Sequence, residues 1–358
     1  MEEADIREIL SGIEDPDLGT DIVSENLVSG IDLDGDAVTV GLALEAAGSP
    51  TEAEISDTVR EALESEGLSV TIATDTEEAE DDGMGVENLG PDTDEATEPL
   101  PDVSNVIAVA SGKGGVGKST VSVNLAAGLA DRGADVAIFD ADMYGPNVPR
   151  MLGVDEQPRA TSDEEIVPVE SHGMGVMSLG LMLGDDDPVI WRGAMVTQTL
   201  TQLVDDVKWG DIDHLVIDLP PGTGDTQLTL LQSIPITGSV IVTTPQEVAL
   251  EDARRGLQMF AEHDTPVLGI VENMSTFVCP DCGSEHDIFG SGGGERFAEE
   301  KNMPFLGSIP LDPAIRSGGD EGAPIVMADD GGTSESFQSV VKTAADMVGI
   351  LNRQNRSQ

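Results

Sequence analysis

Positive charge is what this chain has least of. Over 358 residues, 17 Lys and Arg stand against 69 Asp and Glu, a formal net charge of −52, and lysine is scarcer than arginine. A surface this acidic repels nucleic-acid phosphates and anionic lipid, which argues against both as partners for the body of the protein. The acids run through the whole chain instead of collecting in one tail. That distribution suits a folded protein of a halophile's cytoplasm better than a disordered acidic appendage, because salt screens the repulsion between dense carboxylates. Long apolar runs are missing too: none approaches the roughly twenty residues that span a bilayer. The opening Met1-Glu-Glu-Ala-Asp5 has neither the basic region nor the apolar stretch of a signal peptide. The expectation is a cytosolic protein. Cysteine is nearly absent. Cys279 and Cys282, the two present, stand too close together for a structural disulfide framework. The length is enough for two or three domains.

What is present is organised around Ser111-Gly-Lys-Gly-Gly-Val-Gly-Lys-Ser-Thr120. An apolar run, Val106–Ala110, precedes it and reads as a buried parallel strand; helically spaced apolar residues follow over 121–130. Strand, glycine-rich loop, Lys-Ser and helix together make a phosphate-binding P-loop, where an isolated glycine-rich turn would not. Residues Gly112, Lys113, Gly114, Gly115, Val116, Gly117, Lys118, Ser119 and Thr120 are the nucleotide cradle. Backbone N–H groups turn toward the phosphates and the helix N-terminus adds partial positive charge. Lys118 is placed to reach the β- and γ-phosphates of ATP, and Ser119 to offer its hydroxyl to Mg²⁺. Lys113 is a second loop cation that an ordinary P-loop does not require.

Residues 1–74 read as a small α/β accessory unit: a helix through Ile6, Ile9, Leu10 and Ile13, a hairpin turning at Asp34-Gly35, a helix striped by Ile55, Val59 and Leu63, and a last strand at Leu68–Ile72. Residues 75–104 hold many acids, three prolines and no Lys or Arg, the composition of a solvated linker. From 105 to 352, strands at 136–139, 215–218, 239–243 and 267–271 alternate with helical patterns near 193–207, 225–233, 247–262 and 333–351. That alternation predicts an α/β fold, a doubly wound, mostly parallel sheet with helices on both faces. The last pattern, with Phe337, Val340, Val341, Ala344 and Val348, reads as a core-packing helix, not a basic membrane-binding tail.

Two acidic clusters fall at strand carboxyl ends, where such folds gather their functional residues. Leu215-Val-Ile-Asp218 is an apolar strand ending in a carboxylate suited to stand beside Mg²⁺, and Gly222 follows with a backbone N–H able to approach a γ-phosphate. Asp140 and Asp142, after the second core strand, are candidates to orient an attacking water and support the metal; the competing reading is an Asp-rich turn on an acidic protein. Cys279-Pro-Asp-Cys282 supplies two thiolates where a tetrahedral site wants four. Two copies meeting at a two-fold axis would supply four, for a [4Fe–4S] cluster or for zinc. Half a zinc knuckle, a redox dithiol or an inert turn are the other readings, and His286 nearby reads as a surface residue before a ligand.

The string Lys113-Gly-Gly-Val-Gly-Lys118-Ser-Thr, with Asp140-Ala-Asp142 and the Asp218 strand, resembles the deviant P-loop ATPases that include the ParA/MinD proteins and the nitrogenase iron protein. That resemblance implies a homodimer sandwiching ATP, with Lys113 reaching the partner's nucleotide, and adenine contacts from Asn273 and the loop around Pro310. Asp140–Asn147, Asp218–Asp225, Asn273-Met-Ser, Cys279-Pro-Asp-Cys282-Gly and Ile309–Pro313 together resemble the Mrp/ApbC branch. It implies an ATP-hydrolysing iron–sulfur carrier that binds a bridging cluster through Cys279 and Cys282 and hands it to apo iron–sulfur proteins, working with assembly factors. Asp15–Val23 resembles the small domain of iron–sulfur assembly proteins. Relatives of that domain place a cysteine before a proline where this chain has Ala46-Ala-Gly-Ser-Pro50, which points to docking instead of metal binding. The rival class is a ParA/MinD-like spatial organiser gripping DNA or membrane, which leaves the cysteine pair idle; a third is a nucleotide-dependent scaffold bridged by zinc.

Overall fold

The computed structural model describes residues 2–74, 100–143, 145–161, 165–182, 193–279, 281–328 and 331–356. The first elements are α1 (Glu3–Leu10), β1 (Val28–Asp34), β2 (Ala37–Leu42), α2 (Pro50–Ser65) and β3 (Ser69–Thr74). Gly35, at φ +65°, closes the β1–β2 hairpin, and β3 returns parallel to β2. The alternating apolar residues of β2 and the stripe Ile55, Val59 and Leu63 of α2 enclose a small core with Ile6 and Leu10 of α1. Most of the expected acidic linker, residues 75–99, lies outside the described residues. Its end is not linker: Leu100 packs on the main core, and the next strand is already under way at Val103, three residues before the apolar run, because Val103 pairs with Ile212 of the neighbouring strand.

That strand is β4 (Val103–Ser111), followed by α3 (Lys118–Asp131), β5 (Val136–Asp140) and the single turn α4 (Val148–Met151). Two short strands, β6 (Arg159–Ala160) and β7 (Ile166–Val167), pair with each other ahead of β8 (Val169–Ser171), β9 (Met174–Ser178) and α5 (Leu179–Met182). Then come α6 (Gly193–Asp206), β10 (Ile212–Asp218), α7 (Asp225–Ser233), β11 (Gly238–Thr243), α8 (Glu247–Glu262) and β12 (Val267–Glu272). A hairpin, β13 (Phe277–Val278) and β14 (Glu285–His286), precedes α9 (Gly293–Lys301), β15 (Phe305–Ser308), α10 (Pro313–Glu321) and α11 (Gly332–Arg356).

The main sheet has the order β15-β12-β11-β4-β10-β5-β9-β8, parallel throughout except at the β8 edge. Period-two alternation divides each central strand between two cores. In β4, Ile107 and Val109 join α3 and α11 on one face, whereas Val106, Ala108 and Ala110 join α6, α7 and α8 on the other. Phe337, Val340, Val341, Ala344 and Val348 of α11 are all buried, so its apolar face is spent on the sheet. Among the described residues, no helix is long and apolar enough to cross a membrane.

The small unit docks near where β4 and β10 begin, about 13 Å along β10 from Asp218 at its carboxyl end, since four residues separate His214 from that aspartate. The stretch Ala46–Pro50 is part of the contact. The His214 Nε2–H donates to the Ala47 carbonyl (2.8 Å), and Asn105 Nδ2 donates to the Glu45 carbonyl (2.6 Å). Ser49 caps α2 while its hydroxyl donates to Asp346 of α11 (2.8 Å). Arg353, fully buried near the end of α11, meets Asp15 (2.6 Å), Asp17 (2.7 Å) and Glu52 (3.0 Å). Burial pushes the Glu52 and Asp17 carboxyls above the usual carboxylate range, with Arg353 pulling the other way.

Candidate functional site

The loop between β4 and α3 turns over the carboxyl end of the sheet. Two glycines there answer to sterics. A Cβ on Gly112 would sit 2.2 Å from the Asp252 backbone of α8. Gly117, at φ +89°, caps α3, and a Cβ on it would fall 2.0 Å from the Asn273 side chain. Val116 is buried, Gly114 and Gly115 are exposed, and the first turn of α3 carries Lys118, Ser119 and Thr120.

Lys118 is 5 % exposed, and its Nζ lies 2.7 Å from Asp218 Oδ2 and 3.8 Å from Asp142 Oδ2. The Ser119 hydroxyl donates to Asp218 Oδ2 (2.7 Å), and the Ser122 hydroxyl donates to Oδ1 (2.6 Å). Asp218 therefore has both oxygens engaged by the first two turns of α3. Ser122 was not foreseen from sequence; its signal was a hydroxyl at i+4 from Lys118, which puts it on the same helix face. Ser119 and Asp218 are a hard-oxygen pair adjoining the phosphate loop, a donor set that fits Mg²⁺.

Asp218 and Asp140 end neighbouring strands in register, so their carboxyls are side by side. The two acids of the 140–142 cluster nevertheless differ. Asp140 is 1 % exposed; it accepts from the backbone N–H of Asp142 (3.1 Å) and Val148 (3.3 Å) and from the Ser178 hydroxyl (3.3 Å). Burial, with Asp218 adding to it, pushes its carboxyl up to about 8. Asp142 is the acid whose carboxylate approaches Lys118. Asp140 thus shapes the turn that presents Asp142. Gly222, at φ +99°, donates its N–H to the Ser111 carbonyl (2.9 Å), so a phosphate contact from that N–H requires exchange of this bond. The half-buried Lys113 has its carbonyl held by the Ser111 hydroxyl, while its amine has no ion-pair partner among the described residues.

Beside the loop opens a cavity of about 330 Å³ lined by Thr120, Asn273, Met274, Pro310, Leu311 and Arg316, among others. Asn273 and Pro310, expected at adenine, share this wall. The Asn273 amide, however, faces the P-loop: Nδ2 donates to the Val116 carbonyl (2.8 Å), and Oδ1 accepts from Met274 N (2.9 Å). It clamps the loop from behind, a task hidden from sequence because it joins residues 157 positions apart.

Past Asn273 the chain enters the β13–β14 hairpin, whose tip carries both cysteines. Cys279 is half-buried and Cys282 exposed, and both thiols are free. Cys279 N donates to the Ser284 carbonyl (2.9 Å), and Gly283 N donates to the Cys279 carbonyl (2.8 Å), which closes the turn. The Ser284 hydroxyl, followed by its backbone N–H and by Cys279, holds the Cys282 thiol below its ordinary range. His286 is exposed and lies against Phe277, ring centroids 6.5 Å apart. Among the described residues, no group of three or more His, Cys, Asp or Glu is arranged to hold a metal ion.

The family described as the NUBPL iron-transfer P-loop NTPase matches residues 102–345, and that of the iron–sulfur cluster assembly protein matches residues 3–73. The chain is 41 % identical over 352 residues to an iron–sulfur cluster carrier protein of Synechocystis, covering 96 % of both chains. It is 43 % identical over 345 residues to one from Deinococcus radiodurans, covering 95 % of this chain and 94 % of that one. A nucleotide-binding protein from Archaeoglobus fulgidus, solved in complex with ADP, superposes with a TM-score of 0.57 at 37 % identity, covering 63 % of this chain and 88 % of its own. The cell-division ATPase MinD of Pyrococcus furiosus superposes at 0.52 with 25 % identity, covering 67 % and 97 %. With a P-loop on a mostly parallel sheet, a buried Lys–Asp pair at its mouth and a free dithiol beyond it, this chain belongs to the NUBPL iron-transfer P-loop NTPase family.

Proposed function

We propose that the chain is an ATP-hydrolysing iron–sulfur cluster carrier. As a homodimer it holds a [4Fe–4S] cluster, its cargo, between two Cys279/Cys282 pairs and passes it to apo-proteins. The observation that carries this reading is a free dithiol, half-buried at Cys279 and exposed at Cys282, on a hairpin that continues from the wall of the nucleotide cavity. Two thiols per chain leave the ligand set half complete, and a second copy supplies the other half.

ATP phosphates enter the Gly112–Thr120 loop, and Lys118 exchanges Asp218 for the β- and γ-phosphates. Ser119 and Asp218 hold Mg²⁺, which neutralises charge developing on the phosphates when bound. Asp142, presented by the buried Asp140, orients the attacking water, and Lys113 reaches across to the partner's nucleotide. The Gly222 N–H leaves Ser111 to register the γ-phosphate. The nucleoside extends toward Pro310 and Met274. A ParA/MinD-like organiser finds less support, since α11 buries its apolar face on the sheet and the surface is acidic.

Anaerobic iron–sulfur reconstitution of the full chain, with iron, sulfide and zinc measured per dimer, tests the reading. Four irons and four sulfides per dimer are expected. One zinc without sulfide would refute the carrier function in favour of a zinc-bridged scaffold.

A further inference from the structure

The carrier reading leaves open how nucleotide at one place alters the thiols at another. The segment from Glu272 to Cys279 joins them physically. Its buried first residue, Glu272, accepts from the N–H groups of Gly292 (2.9 Å) and Gly294 (2.5 Å) at the start of α9, which anchors the end of β12. Next, Asn273 donates to the Val116 carbonyl and packs so closely on Gly117 that a side chain there would have to displace its amide. Gly117 directly precedes Lys118, so a shift of the loop on phosphate binding cannot leave the Asn273 amide where it is.

Met274 follows at φ +56°, in the left-handed region, and lines the nucleoside cavity. Ser275 N and its hydroxyl both donate to the Ile309 carbonyl (3.0 Å each). Leu311 N donates to the Thr276 carbonyl (3.0 Å), and Phe277 bridges Leu311 in parallel. Ile309–Leu311 is the same stretch that offers Pro310 and Leu311 to the cavity. Thus residues 275–277 are laddered to the cavity wall on one side and run straight into Cys279 on the other.

We propose that Asn273 is a positioning residue that couples the P-loop to the cysteine hairpin. Its bond to Val116 makes the path of residues 273–279, and with it the exposure of Cys282, depend on the nucleotide held. The coupling runs within one chain, and it rests on the carrier reading only for what the thiols bind.

The test uses the full chain with Cys279→Ser, so that alkylation by iodoacetamide reports Cys282 alone, with and without saturating Mg-ATP. The expected result is an alkylation rate that changes about threefold or more with ATP, a size typical of coupling between sites. Asn273→Asp keeps an acceptor for Met274 N but loses the donor to Val116. It should bind ATP at saturation, checked by titration, yet lose the ATP-dependent change; Asn273→Ala should do the same. If Asn273→Asp retains the full change, for instance because dimer closure alone covers the thiol, the proposal is overturned. A second measurement needs no substitution at Asn273. Where the thiol is reached through an opened form of the hairpin, alkylation traps that form, so alkylating the unsubstituted chain should change its ATP affinity at least about twofold, and an unchanged affinity would overturn the coupling. Loss of cluster binding with the thiol response intact would overturn the carrier reading and leave the coupling standing.

Discussion

Lys118 and Asp218 form a buried ion pair, Nζ to Oδ2 at 2.7 Å, with side-chain exposures of 6 % and 0 %. In the proposed nucleotide site, the charge meant for phosphate is thus held by the carboxylate meant for Mg²⁺. Removing one partner leaves an uncompensated buried charge, which costs about 3–5 kcal/mol. Lys118→Ala should therefore lose ATP binding and destabilise the fold by roughly the low end of that range, since Ser119 and Ser122 still donate to Asp218. Adding Asp218→Asn should restore stability in urea unfolding without restoring ATP binding.

Lys113 has its amine uncommitted to any ion pair among the described residues. Lys113→Ala should bind ATP normally and hydrolyse it about a thousandfold more slowly, the low end of what a cation supplied in trans contributes to phosphoryl transfer. Equal turnover by Lys113→Ala and the unsubstituted chain, at equal ATP occupancy, rules out a cross-dimer role for this lysine.

Asp140 titrates against stability. Its folded carboxyl is raised from 3.8 to about 8, so between those values the folded state keeps a proton that the unfolded chain has released. The group's contribution is full below about pH 4 and is lost as pH rises through about 8. Asp140→Asn carries no such proton. The stability of the unsubstituted chain minus that of Asp140→Asn should fall steadily from pH 5 to pH 8 in urea titrations; a flat or rising difference contradicts the assignment.

Cys282 owes its lowered thiol range first to the Ser284 hydroxyl. Ser284→Ala should raise that range and slow alkylation of Cys282 near neutral pH, where the thiolate is the reacting form. Cys279→Ser or Cys282→Ser should abolish cluster binding while ATP affinity stays as it was, measured on the same preparations.

Arg353 is, among the described residues, the one cation paired with Asp15, Asp17 and Glu52 at the contact between the small unit and the sheet. Arg353→Met should leave three acids facing one another and weaken docking by about 3–5 kcal/mol. Calorimetry should then resolve two transitions. A single transition at an unchanged temperature would show that the ion cluster does not hold the units together.

The sequence alone was enough for everything that repeats with a short period. The apolar runs Val106–Ala110, 136–139 and 215–218 placed β4, β5 and β10, and helical spacing placed α6, α7, α8 and α11, because burial on a two-faced sheet constrains each of those residues locally. The P-loop was legible for a similar reason: phosphate binding demands glycines and a lysine at fixed neighbouring positions. Whatever depends on which distant groups meet was not legible. The contacts that separate Asp140 from Asp142, the bond from Gly222 N–H to Ser111, the Asn273 clamp on Val116 and the seating of Ala46–Pro50 against β10 and α11 join residues far apart in the chain. A carboxylate or an amide reads the same in sequence whether it faces solvent or a buried carbonyl. Only the folded packing sets its partner, and burial then makes that partner obligatory.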